Sequence, residues 1–426
     1  MLKILSAALL TFCTCTVATG QDLLQKYVKD NAVRIAAPSP TNSDYSDLNA
    51  IGEAIADARV VMLGEADHSD GTTLALKSRV VKYLHDKKGF NVLLFENDFY
   101  SLNQGWDSLS KDRNSIKTFF YSNLYPMWSK TEECADLLYD YLPETFKGNG
   151  PPLKISGFDN QLNGSYARNS LKKKLHQYLS DQSIDLNSSA FLSYLSVTDS
   201  LMNTRFKDEG QFNNHLNINR TNFKFFSHLS DDLLSRLGVS HSTDYCYQLI
   251  NSLKGLAEQR LHHQKNKYVS GGIRDAQMAQ NLAWLLQHKY AKEKVIVWAA
   301  NYHIIKNKTE LVSSGFLRRQ PNMSTALFNQ LPGLQKQTFI LTTVSSEFPD
   351  DKRNYPKLSN GFDTWVQPDI AFGFINIKAF QNLNPAYNQS FPMKTLGHSD
   401  LVGKWTQGMD GILYIKVNRK AKTSAL

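Results

Sequence analysis

The chain has 426 residues, 42% of them hydrophobic and 11% aromatic, with a formal charge of +9 and an isoelectric point near 9.1. That length and apolar content support one large domain or two ordinary ones and exclude a disordered chain. Lys and Arg are scattered rather than striped, and the densest cluster, Arg419-Lys420 with Lys422, is short, so the charge describes a solvated basic surface and no nucleic-acid partner.

Residues 1–20 have the pattern of a secretory leader. Lys3 supplies the charged start, Ile4–Phe12 the apolar stretch, and Ala18-Thr19-Gly20 a small-residue cleavage site before Gln21. The stretch is too short to span a membrane. Cys13 and Cys15 have Phe12 and Thr14 as neighbours, which suits lipid attachment poorly. The expectation is an exported domain over 21–426, periplasmic or secreted, with no transmembrane segment. Cys134 and Cys246 would remain in it, as one disulfide or as two buried thiols.

After a polar turn region around Pro38–Asp47, Arg59–Leu63 is a β-branched run that predicts a strand emptying into a glycine turn at Gly64. Leu76, Val80 and Leu84, with Val81, recur at helical spacing, and Lys87-Lys88-Gly89 supplies a basic last turn and a glycine stop. Asn91–Phe95 is the next apolar run. Strand, helix, strand over about 40 residues is a parallel crossover, since a hairpin needs only a short turn.

Leu153–Gly157 predicts a third strand. From about 165 to 265 strand-like runs vanish and apolar residues fall at helical intervals, which predicts a large helical insertion forming a lid over the sheet edge. The helix carrying Arg274, Met278, Leu282 and Leu285 then runs to about Lys289. Further strands are expected at Lys294–Ala299, Thr338–Val344, Ile370–Ile377 and Gly411–Val417. The fold class is therefore α/β: a mostly parallel central sheet of about seven strands, flanked by helices.

Open α/β sheets place their chemistry outside the carboxyl ends of their strands. The residues leaving these strands are Glu65 with His68, then Glu96, then Asp159, then Asn301 with His303. Two acids beside two imidazoles at one edge suit general acid–base work. Each alone has a plain structural reading as a turn residue, a solvated cap or a satisfied core histidine. The recurrence at one topological position favours function. Asp70-Gly71-Thr72-Thr73 reads as a helix N-cap whose free amides could also hold an oxyanion. Lys77, one turn in, is either a surface lysine or an anion partner. No nucleophile elbow, zinc spacing, phosphate loop or dinucleotide glycine pattern is present in the sequence, so no cofactor is expected.

These residues resemble a known family. Leu63-Gly64-Glu65-Ala66-Asp67-His68, a following Leu-Lys-Ser-Arg helix, and Phe95-Glu96 look like the erythromycin esterase family. So do Arg274-Asp275 with Met278-Ala279, Asn281 and Trp284-Leu285, leading to Val297-Trp298-Ala299, Asn301 and His303. Weaker echoes are Met127-Trp128, Glu132-Glu133, Gly157-Phe158-Asp159 and Asp410-Gly411-Ile412. The resemblance implies metal-independent hydrolysis of a carboxylic ester or lactone, macrolide-like in members of known activity. It implies that His68 takes the proton from water, that Glu65 and Glu96 orient it, and that His303 contacts the substrate carbonyl or leaving alkoxide. Lys77, Asp159, Arg274 and Asn301 would line the substrate pocket. Two departures stand out: Ala300 where the family often carries another imidazole, and Ser69 where a glycine usually follows the motif histidine. Two rival classes stay open beside the esterase, a non-catalytic ligand-binding protein on the same fold and a metal-dependent hydrolase built on Glu65, His68, Glu96 and His303.

Overall fold

The computed structural model describes residues 20–424 apart from 40–42, 204–205, 312–314, 316–317, 319 and 352–359. The leader-like segment through residue 19, with Cys13 and Cys15, lies outside the described residues. The described residues hold ten strands: β1 (Val33–Arg34), β2 (Val60–Glu65), β3 (Phe90–Asp98), β4 (Lys154–Asp159), β5 (Lys294–Ala300), β6 (Thr338–Glu347), β7 (Phe372–Asn376), β8 (Phe391–Met393), β9 (Leu401–Gly403) and β10 (Gly411–Val417).

Eight of them form one sheet in the order β1-β7-β10-β6-β2-β5-β3-β4, and β8 and β9 pair separately. From β10 to β4 every neighbour is parallel; β7 and the two-residue β1 close the other edge in antiparallel pairings. The expected mostly parallel α/β architecture is present, with one strand more than the hydrophobic runs suggest. The extra strand is β1, whose two exposed residues carry no periodicity.

The strands read as unbroken apolar runs because both faces of the sheet are covered. Val60, Met62, Val92, Leu94, Val295 and Val297 point into one core, and Val61, Leu63, Leu93, Phe95, Ile296 and Trp298 into the other. The helix Gly71–Lys88 packs on the second face and ends where expected, at Gly89 in the left-handed region (φ 72°). Leu74, Leu76, Val80 and Leu84 are among its buried residues.

Between β4 and β5 the described residues form no strand and include the helices Ser165–Asp181, Ser189–Met202, Glu209–Leu237, Tyr245–His263 and Lys267–Trp284. Leu171, Leu175, Phe226, Leu249 and Leu253 share one continuous core with Met62 and Val297. The segment is therefore packed onto one face of the sheet, where the sequence suggests a lid over its edge. No described helix is long and apolar enough to cross a membrane. Cys134 and Cys246 are both free and buried.

Gly64 is not a turn residue. It lies inside β2, and a Cβ there would fall 1.9 Å from Asn301 Oδ1. The missing side chain lets the Asn301 amide lie against the strand. A second close approach shapes β3, whose pairing with β4 slips between Phe95 and Asp98. Gly157 opposite leaves room for the displaced Asn97 and Asp98 carbonyls, 2.5 and 2.4 Å from where its Cβ would be. Bulges of this kind re-aim side chains, and here the irregularity spans Glu96.

Candidate active site

β2, β5, β3 and β4 are consecutive neighbours in the sheet, and their carboxyl ends carry Glu65, the Ala300–His303 segment, Glu96 and Asp159. Glu65 is fully buried. Its Oε1 accepts from His68 Nδ1 at 2.9 Å, and its Oε2 is paired with the buried Lys77 ammonium. Lys77 in turn lies 4.2 Å over the Trp298 ring. Glu65 therefore fixes the tautomer of His68, leaving Nε2 with the lone pair. That nitrogen makes no hydrogen bond among the described residues, and the side chain is 36% exposed. The Trp128 ring stands edge-on to the imidazole at 5.7 Å. Burial pulls the His68 pKa down, but the Glu65 hydrogen bond and charge, with the charge of Glu96, leave it raised above the ordinary 6.5.

Glu96 is held from three sides. Its Oε1 accepts from Arg274 Nη2 at 2.7 Å and lies 3.2 Å from His303 Nε2, while Oε2 accepts from the Ala300 amide at 3.1 Å. Burial alone would raise its carboxyl pKa. The charges of His303 and Arg274 overcome that and hold it well below the usual carboxylate range. His303 is bonded at both ring nitrogens, by Glu96 and by Asp275. Desolvation opposes its charge, but Asp275 and Glu96 push its pKa up to about 10. It is an imidazolium at neutral pH. Its contribution to stability is complete below the ordinary imidazole pKa and is lost as pH rises through about 10. Glu96 contributes above the ordinary carboxylate pKa and loses its contribution only as pH falls through its depressed value.

Arg274, from the middle of the helix Lys267–Trp284, bonds both oxygens of Asp159 through Nε (3.1 and 3.2 Å) and one of them also through Nη2 (2.7 Å). Its side chain is 19% exposed, and Nη1 has no hydrogen-bond partner among the described residues.

The structure thus brings together the two acids, the two imidazoles and Arg274 expected from sequence, but gives several of them different surroundings. Lys77 is enclosed against Glu65 and is no surface residue. Asp159 is enclosed against Arg274. Asn301 is enclosed because both its amide hydrogens go to backbone carbonyls, Thr343 O at 2.9 Å and Thr395 O at 2.8 Å. None of the three faces a substrate in this arrangement. His303 also has no ring nitrogen left for a substrate oxygen, since two carboxylates occupy both. Asp70 does stand at the N-cap position, but its carboxylate turns to His398 Nε2 (2.9 Å) and the Asp67 amide (3.2 Å). The amides expected to hold an oxyanion are covered: Thr72 N donates to Arg419 O, and Ala421 lies over Gly71. Among the described residues no group of three or more His, Cys, Asp or Glu is placed to hold a metal ion.

Asp275 and Trp128 belong to the site as well, although the family motifs that include them give neither a role there. Asp275 adjoins Arg274 in sequence, yet neighbours on a helix point about 100° apart, so only the packed helix shows that both reach the rim. Trp128 sits in a short helix far from His68 in sequence, and no spacing rule links them.

A carboxylate-held imidazole at the carboxyl edge of a parallel sheet is an arrangement suited to acid–base chemistry. The erythromycin esterase family model matches residues 85–323, more than half of the chain, and the chain belongs to that family. It is 28% identical over 333 residues to "Putative hydrolase YbfO" of Bacillus subtilis, covering 74% of this chain and 72% of that one. It is 23% identical over 321 residues to "Erythromycin esterase type II" of Escherichia coli, covering 70% and 72%. Solved structures share the fold: a Bacillus cereus protein with a TM-score of 0.70 at 17% identity, covering 95% and 99%, and a mutant of the erythromycin esterase EreC in its open conformation with a TM-score of 0.56 at 16% identity, covering 93% and 98%. Family and relatives together support a hydrolase.

Proposed function

We propose that this chain is an exported hydrolase that uses His68 to activate water against a carboxylic ester or lactone, with macrolide-like lactones among the substrates to test. The observation that carries the reading is the Glu65–His68 contact. The carboxylate accepts the Nδ1–H hydrogen bond and leaves Nε2 as the acceptor at a partly exposed position. Lys77 pairs with the other oxygen of that buried carboxylate and holds it in place. In this reading water gives its proton to Nε2 as its oxygen attacks the carbonyl carbon. The open Nη1 of Arg274 then offers a donor to the developing oxyanion. Glu96, His303, Asp275 and Asp159 fix that guanidinium and supply charge, without exchanging protons themselves. Export rests on the leader-like pattern of residues 1–20.

A pH profile of kcat/KM on a small chromogenic ester tests this. Only neutral His68 can accept a proton, so activity should rise through a midpoint above 6.5. It should fall only where His303 loses its proton, near pH 10. A profile with no rising limb in the imidazole range would reject His68 as the base. Ligand-dependent stabilisation with no product would instead favour the binding protein, which the Ala300 position already makes the natural rival.

A further inference from the structure

The segment that follows β10 makes contacts that neither the family resemblance nor the proposed chemistry requires. Asn418 is buried, and its amide donates to Thr73 Oγ1 at 2.9 Å and to Ser345 Oγ at 3.0 Å. Arg419 N donates to Thr72 Oγ1 at 2.9 Å while Arg419 O accepts from Thr72 N at 3.3 Å. Ala421 N donates to Ser69 O at 2.8 Å. The same strand-like stretch then crosses to a second segment. Lys422 O accepts from Glu132 N at 3.0 Å, Lys422 N donates to the Glu133 carboxylate at 3.1 Å, and Ser424 N donates to Lys130 O at 2.8 Å. Antiparallel bridges Asp70–Lys420 and Thr131–Thr423 mark the two crossings.

These two partners are the two walls of His68. Ser69 to Thr73 is the chain immediately after it. Lys130 to Glu133 is the chain just after Trp128, whose ring stands against the imidazole. An independent feature points the same way. At Gly71 a Cβ would lie 2.7 Å from Ala421 Cα and 2.8 Å from Ala421 N. Only glycine lets the segment pass this close to the start of the helix.

We propose that residues 418–424 are a positioning strap that holds the His68 loop and the Trp128 segment in register, so that the imidazole keeps its orientation against Glu65. The strap acts mainly through backbone hydrogen bonds and touches no substrate. This inference rests on the reading of His68 as the base, and its test separates the two.

The decisive comparison uses the full chain, a chain ending at Val417, and the full-length Gly71→Ala variant, in which the strap is present but displaced. Each is read by its melting temperature, by the NMR titration midpoint of His68, and by kcat and KM on a chromogenic ester. The strap predicts that both altered chains shift the His68 midpoint and lose about 10²-fold in kcat with KM little changed, as expected for a small misplacement of a reacting group. It also predicts that a synthetic 418–426 peptide restores midpoint and kcat to the shortened chain. If the shortened chain fails to fold, Gly71→Ala decides the matter, because it retains all of its backbone hydrogen-bonding groups. A native His68 midpoint and native kcat in a folded altered chain would overturn the strap. A shifted midpoint in a protein that hydrolyses no ester would uphold the strap and defeat the hydrolase reading.

Discussion

Replacing His68 by alanine is expected to lower kcat on a chromogenic ester by about 10³-fold, the usual contribution of a positioned general base. The melting temperature should hardly move. His68 is 36% exposed at its side chain, and its loss removes one hydrogen bond from Glu65, whose other oxygen keeps the Lys77 ammonium. Losing one such bond costs about 1 kcal/mol. Stability and activity therefore separate at this position. Thermal denaturation run beside the kinetics checks it, and a large drop in both would mark His68 as a structural residue and end its assignment as the base.

At Arg274 stability is expected to fall together with activity. Its guanidinium is the shared partner of two buried carboxylates, Glu96 and Asp159. Arg274→Met leaves both facing the interior without their cation, and breaking a buried pair in this way costs about 3–5 kcal/mol. Urea denaturation should show the loss directly. Arg274→Lys should recover only part of it, because one ammonium lacks the planar fork that reaches both oxygens of Asp159 and one of Glu96. Unchanged unfolding midpoints in both variants would contradict the charge network as described. Activity should fall as well, since His303 and Glu96 lose the group that sets their spacing.

The two variants separate the pair that moves the proton from a charge network that holds the rim and presents the Arg274 donor. The Glu65–His68 pair leaves one nitrogen open to solvent. The Asp159–Arg274–Glu96–His303–Asp275 chain closes almost every polar atom on another. Alternating charges explain how Glu65, Glu96, Asp159 and Asp275 stay buried beside Lys77, Arg274 and His303: each desolvated charge has an opposite neighbour within hydrogen-bond reach.

Much of the fold is legible in local pattern. Continuous apolar runs such as Val60–Leu63 and Val295–Ala299 can be satisfied only by strands covered on both faces, and the helical repeat of Leu76, Val80 and Leu84 with Gly89 behind it specifies a crossover. The same strand exits place Glu65, Glu96, Asp159 and His303 at one rim. What each side chain does there is not legible in the sequence. Enclosure of Lys77 and Asn301, two-sided bonding of His303, and the strap over Gly71 all depend on partners between 12 and about 350 residues away. Amino-acid order determines periodicity and turn chemistry, which are short-range. Burial and charge pairing are set by which distant segments meet, and only the packed chain decides whether an imidazole becomes a free base or a clamped cation.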